Sequence, residues 1–354
     1  MSDGSRSTGG PPDVVVVGAG IAGLCVAREL AAAGRSVMIV EKSRGVGGRM
    51  ATRRVGRAIC DHGAQFFTIR GRAFGAIASA AHAAGRAEVW CDGFNRAASV
   101  GDPPEAAADG HSRWRGTSGM TDLPKWLAAE MAGTTVCTGV RAVAAARNGD
   151  RVVLSVEQDG VVETLSSAAL VVTAPVPQAL DLFAAGGLVA EGDPQALAAL
   201  GTVAYDPCFA LMLELRSASL VPSPGAIQFA AGPVSWLADN FQKGVSPVPA
   251  LTVHASGEWS RARFDADPDA VADELVGLVR PWLDGDPATA IVSRSLQRWK
   301  FALPTTILPT PLVAVSAAPP VVCCGDAFAG PKVEGAASSG MAAARWLLRA
   351  LATG

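Results

Sequence analysis

The stretch VVVVGAGIAGLCVARELAAAGRSVMIVE, residues 14–41, constrains this chain more than any other. Its β-branched apolar opening, residues 13–17, predicts a strand buried on both faces of a parallel sheet. Gly18, Gly20 and Gly23 follow at G-x-G-x-x-G spacing. The first permits a tight turn, the second lets a pyrophosphate approach the backbone, and the third lets the next helix pack close to the strand. That helix is expected from Ile21 to about Ala33, ending near Gly34. The unpaired N–H groups of its first turn, around Ile21 and Ala22, then face phosphate. A second strand, 36–40, leads to Glu41, eighteen residues after Gly23, where a carboxylate accepts ribose hydroxyls. A bare glycine motif turns many loops. Strand, turn, helix, strand and acid in that order predict a dinucleotide site.

The next segment, Lys42 to Met50, bears on which dinucleotide. Gly47 and Gly48 allow close approach, and Arg49 offers a charge-assisted donor, as a cofactor longer than NAD needs where a second piece of chain crosses its pyrophosphate. A plain basic surface loop is the alternative. Lys42, beside the ribose acid, is counted with the site. At the far end, VVCCGDAFAGPKVEGAASSGMAAAR, residues 321–345, reads as a strand, a Gly/Pro loop and a helix starting near Glu334 or Gly335. Asp326 can place a carboxylate on a cofactor's polyol chain. The small residues Gly335 and Ala336 let the positive end of the helix approach a flat ring whose edge gains negative charge. A capped core helix is the alternative.

Composition removes several function classes. The net charge is −2 with no basic face, so nucleic acid is not expected. The longest uncharged run, between Lys300 and Asp326, holds five prolines, so no membrane helix is expected there. The polar start, residues 1–12, reads as a flexible arm and not a signal peptide. Seven cysteines without CxxC spacing read as reduced thiols of a cytoplasmic protein, and no metal-ligand spacing is present. Tyr205 is the one tyrosine, so a pair of tyrosines caging an amine is excluded. There is no second G-x-G-x-x-G for a separate NADPH domain.

Taken together, the two terminal motifs resemble the FAD-binding half of flavin amine-oxidase-type oxidoreductases. The segments CDHGAQFFT (60–68), GMTDLPKWLA (119–128), LTVHASGEWS (251–260) and QRWKFALP (297–304) resemble, more narrowly, bacterial renalase-like proteins. The likeness runs from residue 13 almost to the end. It implies an α/β fold: a Rossmann-type FAD-binding domain with an inserted antiparallel-sheet substrate domain, as in hydroxybenzoate hydroxylase. It implies non-covalent FAD and an oxidase of mis-reduced nicotinamide dinucleotides, the 2- or 6-dihydro isomers. A hydride passes to flavin N5, NAD(P)+ leaves, and molecular oxygen is reduced to hydrogen peroxide. An amine oxidase, or a biosynthetic tailoring oxidase acting on a small amine, is the alternative. An FAD-binding protein without turnover is a third reading. Lys332, Lys300 and Phe301 depart from the residues usual in such chains, which affects substrate identity more than fold.

The expected division is a discontinuous FAD-binding domain, 13–75, 120–175 and 300–354, with a substrate domain from 76–119 and 176–299. Short β-stretches at 134–175, with turns at Asn148-Gly149 and Asp159-Gly160, predict an inserted meander, and Val140 is matched to the adenine contact. Gln65 and Phe66 are placed along the flavin. Trp299 and Phe301 are expected as walls over the ring, although aromatics at i and i+2 also mark a strand burying one face. His254 is expected to face the pocket, by catalysis or by packing.

Overall fold

The computed structural model describes residues 10–328 and 330–352; most of the expected N-terminal arm, residues 1–9, lies outside the described residues. A six-stranded sheet forms the first layer, in the order Val313–Ala317, Pro320–Cys323, Ala169–Val172, Val14–Val17, Val37–Glu41, Thr134–Thr138. Its central strands are parallel, with Val14 opposite both Val37 and Ala169. Val14, Val15 and Val16 have no exposure, as a strand covered on both faces requires.

One face is covered by the helices Ile21–Ala32 and Val333–Ala350, which pack on each other through small residues. A Cβ on Gly340 would lie 2.2 Å from the Ala22 carbonyl oxygen, so that crossing needs glycine. The opposite face carries the three-stranded meander Arg141–Asn148, Arg151–Gln158, Val161–Ser167.

A seven-stranded sheet forms the second layer, in the order Ile291–Pro304, Tyr205–Leu215, Ala250–Ala255, Val234–Asp239, Ala226–Phe229, Ala87–Ala97, Glu105–Gly116. Its period-two pattern separates two faces. Leu211, Leu213, Leu237, Leu251 and Val253 pack under the helix Pro268–Val279, whose first turn Asp267 caps by accepting from the Asp269 and Ala270 N–H groups. The alternating set, including Met212, Thr252, His254 and Trp236, turns toward the first layer.

Two segments assigned above to the substrate domain pack elsewhere. The helix Arg72–Ala83, which the expected division cuts after residue 75, buries Phe74, Ile77 and Ala78 together in the core that holds Ile21–Ala32, so residues 76–83 go with that core. The helices between 176 and 201 bury Val176, Ala179, Leu182 and Phe183 against the meander. Their apolar faces match those cores, whereas the seven-stranded sheet already has its cover. Conversely, Ile291–Pro304 pairs along Tyr205–Leu215, so residues 300–304 belong to the second sheet.

Candidate functional site

Between the two layers lies a cavity of about 550 Å³, within the range of cofactor and substrate sites. Its floor comes from the chain termini: Gly20, Ile21, Ala22, Arg49, Asp326 and Ala336. Its roof comes from the second sheet and the segment that follows the hairpin Thr52–Val55, Ala58–Asp61: Gln65, Trp236, His254 and Trp299 among others.

The floor is built by close backbone approach. Gly23 could not be another residue, because its Cβ would lie 2.0 Å from the Gly18 carbonyl oxygen. Gly20 has nothing within 4 Å of the place a Cβ would take, and it borders the cavity, so an ordinary side chain there would fill the cradle. The second glycine cluster lies alongside: the Gly47 N–H donates to the Ala19 carbonyl at 2.8 Å, and a Cβ on Gly48 would touch Gly20 Cα at 3.4 Å. Two glycine-lined strips of backbone thus border one space, which fits a pyrophosphate-containing cofactor.

Arg49 and Asp326, expected at separate points of that cofactor, hold each other in a bidentate ion pair at 2.5 and 2.8 Å. Glu41 is buried outside the cavity lining; its two oxygens accept from the Ala19 and Ser43 N–H groups at 2.8 and 2.7 Å. Each retains a lone pair for a ribose hydroxyl. Val140 lies beside it, donating its N–H to the Glu41 carbonyl, in the core under the meander. Lys42 instead donates to Gln178 Oε1 at 3.2 Å.

Three expectations need correction. Glu334 is not among the residues that line the cavity: its carboxylate accepts from the Arg70 and Gly71 N–H groups, because a half-buried acid in the first helical turn finds a neighbouring loop's free donors. Gly335 is small for the chain's own sake, since its Cβ would lie 2.3 Å from the Gly330 carbonyl oxygen. Phe301 is not a wall. Asp206 pairs with Leu303 and Cys208 with Trp299, so two steps along Tyr205–Leu215 face four along the partner strand, which bulges there. The Phe301 ring turns onto Tyr205 at 5.6 Å while Ala302 and Leu303 border the cavity.

Trp299 does line the cavity, stacked on His62 with ring centroids 5.3 Å apart and planes 13° from parallel. Its Nε1–H donates to the His62 carbonyl at 2.9 Å, which locks the pair. Phe66 packs against Phe94 and Trp236 at 4.8 and 5.7 Å. Burial lowers the pKa of both His62 and His254 to about 4, with the Arg53 charge adding to the effect at His62 and Lys243 at His254. Both imidazoles are therefore neutral at pH 7. His62 Nδ1, Gln65 Oε1 and Trp236 Nε1 are buried without a hydrogen-bond partner in the protein. Such orphans cost about 1–3 kcal/mol each unless a bound molecule satisfies them.

The residues missed by motif reading are those that fix the roof. Asp61 and Lys243, both fully buried, form an ion pair at 2.6 Å. Asp61 also accepts from Thr52 Oγ1 and the Met120 N–H, at 2.6 and 2.8 Å. Its backbone is tied to the sheet by Asn240 and Thr252. Asp61 lies inside CDHGAQFFT, but nothing local marks a partner 182 residues away. Among the described residues no group of three His, Cys, Asp or Glu is placed to hold a metal, and no helix is long and apolar enough to cross a membrane.

Against known families, residues 16–80 match the NAD(P)-binding Rossmann-like domain and residues 104–348 the flavin-containing amine oxidoreductases. An L-amino-acid oxidase of Demansia vestigiata is 53% identical over 53 residues, 15% of this chain and 10% of its own length. The chain thus matches about a tenth of that relative. Cyclohexylamine oxidase from Brevibacterium oxydans IH-35A superposes with TM-score 0.73 over 97% of this chain and 100% of that one, at 13% identity. A redesigned putrescine oxidase superposes with TM-score 0.70 over 96% and 99%, at 14% identity. These two establish the shared fold.

Proposed function

The chain belongs to the flavin-containing amine oxidoreductases, and on that premise we propose that this FAD-dependent oxidoreductase oxidises the 2- or 6-dihydro isomers of nicotinamide dinucleotides, with oxygen as the final acceptor. Bound FAD supplies the hydride acceptor. Gly20, Ile21, Ala22, Arg49, Asp326 and Ala336, which line the cavity, would hold it, with Gly18, Gly23 and Gly48 shaping the backbone beside them and Glu41, Lys42 and Val140 toward its nucleotide. The FAD-binding part in this reading takes in the helices of 72–83 and 176–201, and the seven-stranded sheet bears the substrate.

One observation carries the choice of substrate. The two acids among the described lining residues are each already held by an arginine, Asp326 by Arg49 and Asp206 by Arg261. The cavity thus offers no free carboxylate to retain an ammonium group, and Tyr205 does not line it. What it offers is a flat stacked wall of His62 and Trp299, beside neutral His254 and the aromatic Phe66 and Trp236. Such a lining orients an uncharged dihydropyridine ring without needing acid–base help, since hydride transfer depends on placement. The four internal segments that resemble renalase-like chains support the same reading.

Anaerobic mixing of the flavin-loaded protein with borohydride-treated NAD, and separately with cyclohexylamine and putrescine, tests it. Loss of the oxidised flavin absorbance with the dinucleotide isomers and not with the amines is the expected result. Bleaching by the amines alone makes the protein an amine oxidase. Bleaching by neither makes it a flavin carrier for these donors.

A further inference from the structure

We propose that Asp206 is a latent ammonium subsite that Arg261 holds shut, so that Arg261 helps to set which donors the cavity admits; this rests on the reading above that amines are not those donors. Asp206 is the second residue of the strand Tyr205–Leu215 and stands opposite Leu303 at the bulge. It borders the cavity, and its side chain is 28% exposed, so a bound molecule can reach it. Pro207, Ala302 and Leu303 border the same cavity, and Leu303 is exposed. A carboxylate among apolar residues suits a small alkylammonium, with an anion for its head and a wall for its hydrocarbon.

Arg261 removes that opportunity from outside. It stands on the short helix Gly257–Ala262 and is not among the residues that line the cavity, yet its Nη2 donates to Asp206 Oδ1. The fold brings the two together. Ser256 caps the helix by accepting from the Trp259 N–H, and Ser260 Oγ accepts from the Phe209 N–H of the strand at 3.2 Å. At Gly257 the approach is so close that a Cβ would lie 2.3 Å from Asp206 Oδ2. No other cation is paired with Asp206 among the described residues. Arg263 is held by Glu274 and Arg298 by the Phe264 carbonyl, at 2.7 and 2.8 Å.

Stability does not account for this pair. Arg261 is 61% exposed, and ion pairs so open to water contribute little to folding. Its consequence is electrostatic: a carboxylate already matched by a guanidinium attracts an ammonium weakly, and an unmatched one at the same place attracts it strongly. Arg261 thus acts through Asp206 as a device against the wrong ligand.

The experiment titrates the flavin-loaded protein with cyclohexylamine, a cation at pH 7, and with cyclohexanol, its neutral counterpart, following the flavin absorption spectrum. In Arg261→Gln the amine should bind about ten-fold more tightly than in wild type, with cyclohexanol unchanged. Arg261→Lys keeps a cation and should keep the wild-type affinity. Adding Asp206→Asn to Arg261→Gln should abolish the gain. Amine binding in Arg261→Gln that is absent or no tighter than in wild type overturns the assignment, as does a gain that survives Asp206→Asn. Equal tightening for cyclohexanol overturns it too, because it reports a widened cavity and not a freed charge. Bleaching of the wild-type flavin by cyclohexylamine is a different observation, and it overturns the substrate reading on which the assignment rests.

Discussion

The two layers of this molecule solve the problem of holding a ligand in opposite ways. On the floor, backbone does the work: Gly18, Gly20 and Gly23 are close together in the chain, and the second cluster at Gly47 and Gly48 follows one strand later. On the roof, side chains do it: Gln65, Trp236, His254 and Trp299 come from distant segments and meet only through strand register and a buried ion pair. Local backbone sites tolerate a change of fold partner and recur as motifs. Assembled side-chain sites specialise a cavity and leave no compact signature.

The sharpest way to break the contrast is Lys243→Met. It leaves Asp61 charged and buried without its partner, and the expected cost is about 3–5 kcal/mol in urea unfolding of the flavin-free protein. A cost below 1 kcal/mol would mean that the roof does not depend on this pair. The floor should respond in the opposite sense. Gly20→Val places a side chain in open space at an ordinary backbone conformation (φ −72°), so the flavin-free fold should lose less than about 1 kcal/mol. FAD affinity, by titration of the apoprotein, should nevertheless fall about a hundred-fold, near 3 kcal/mol.

Acid provides a milder test of the roof. His62 and His254 titrate near 6.5 when unfolded and near about 4 when folded. Between those values the unfolded chain binds protons that the folded chain refuses, so stability is full above about pH 6.5 and declines as pH falls toward 4. The loss should reach about 2–3 kcal/mol for a histidine shifted this far. His62→Phe should flatten that slope in unfolding measured at pH 7 and at pH 4.5. The smallest effect concerns the expectation that failed at Glu334. Glu334→Ala removes a half-buried acceptor for the Arg70 and Gly71 N–H groups and should cost about 1 kcal/mol in thermal unfolding, with FAD affinity within two-fold of wild type.

How far each layer was legible follows from the same contrast. The parallel strands, the first helix, the meander and the floor glycines were readable because spacing along the chain is their geometry. Asp61 and Lys243 were not, because their meaning lies in mutual contact across 182 residues. Phe301 was misread because alternation along a strand assumes an unbroken ladder, and a bulge opposite Asp206 and Cys208 shifts it. Glu334 was misread because a helix start looks alike whether it faces a cofactor or a neighbouring loop. Trp236 carried no signal at all in VSWLAD, where an indole on a strand reads as core.

The central claim is that a generic flavin floor has been given a roof for dihydronicotinamide rings, and product analysis under air tests it most directly. The account predicts that borohydride-treated NAD is consumed with NAD+ and hydrogen peroxide formed in equal amounts. Dihydro isomers left untouched by the flavin-loaded protein, while an amine is turned over to give peroxide, would contradict it.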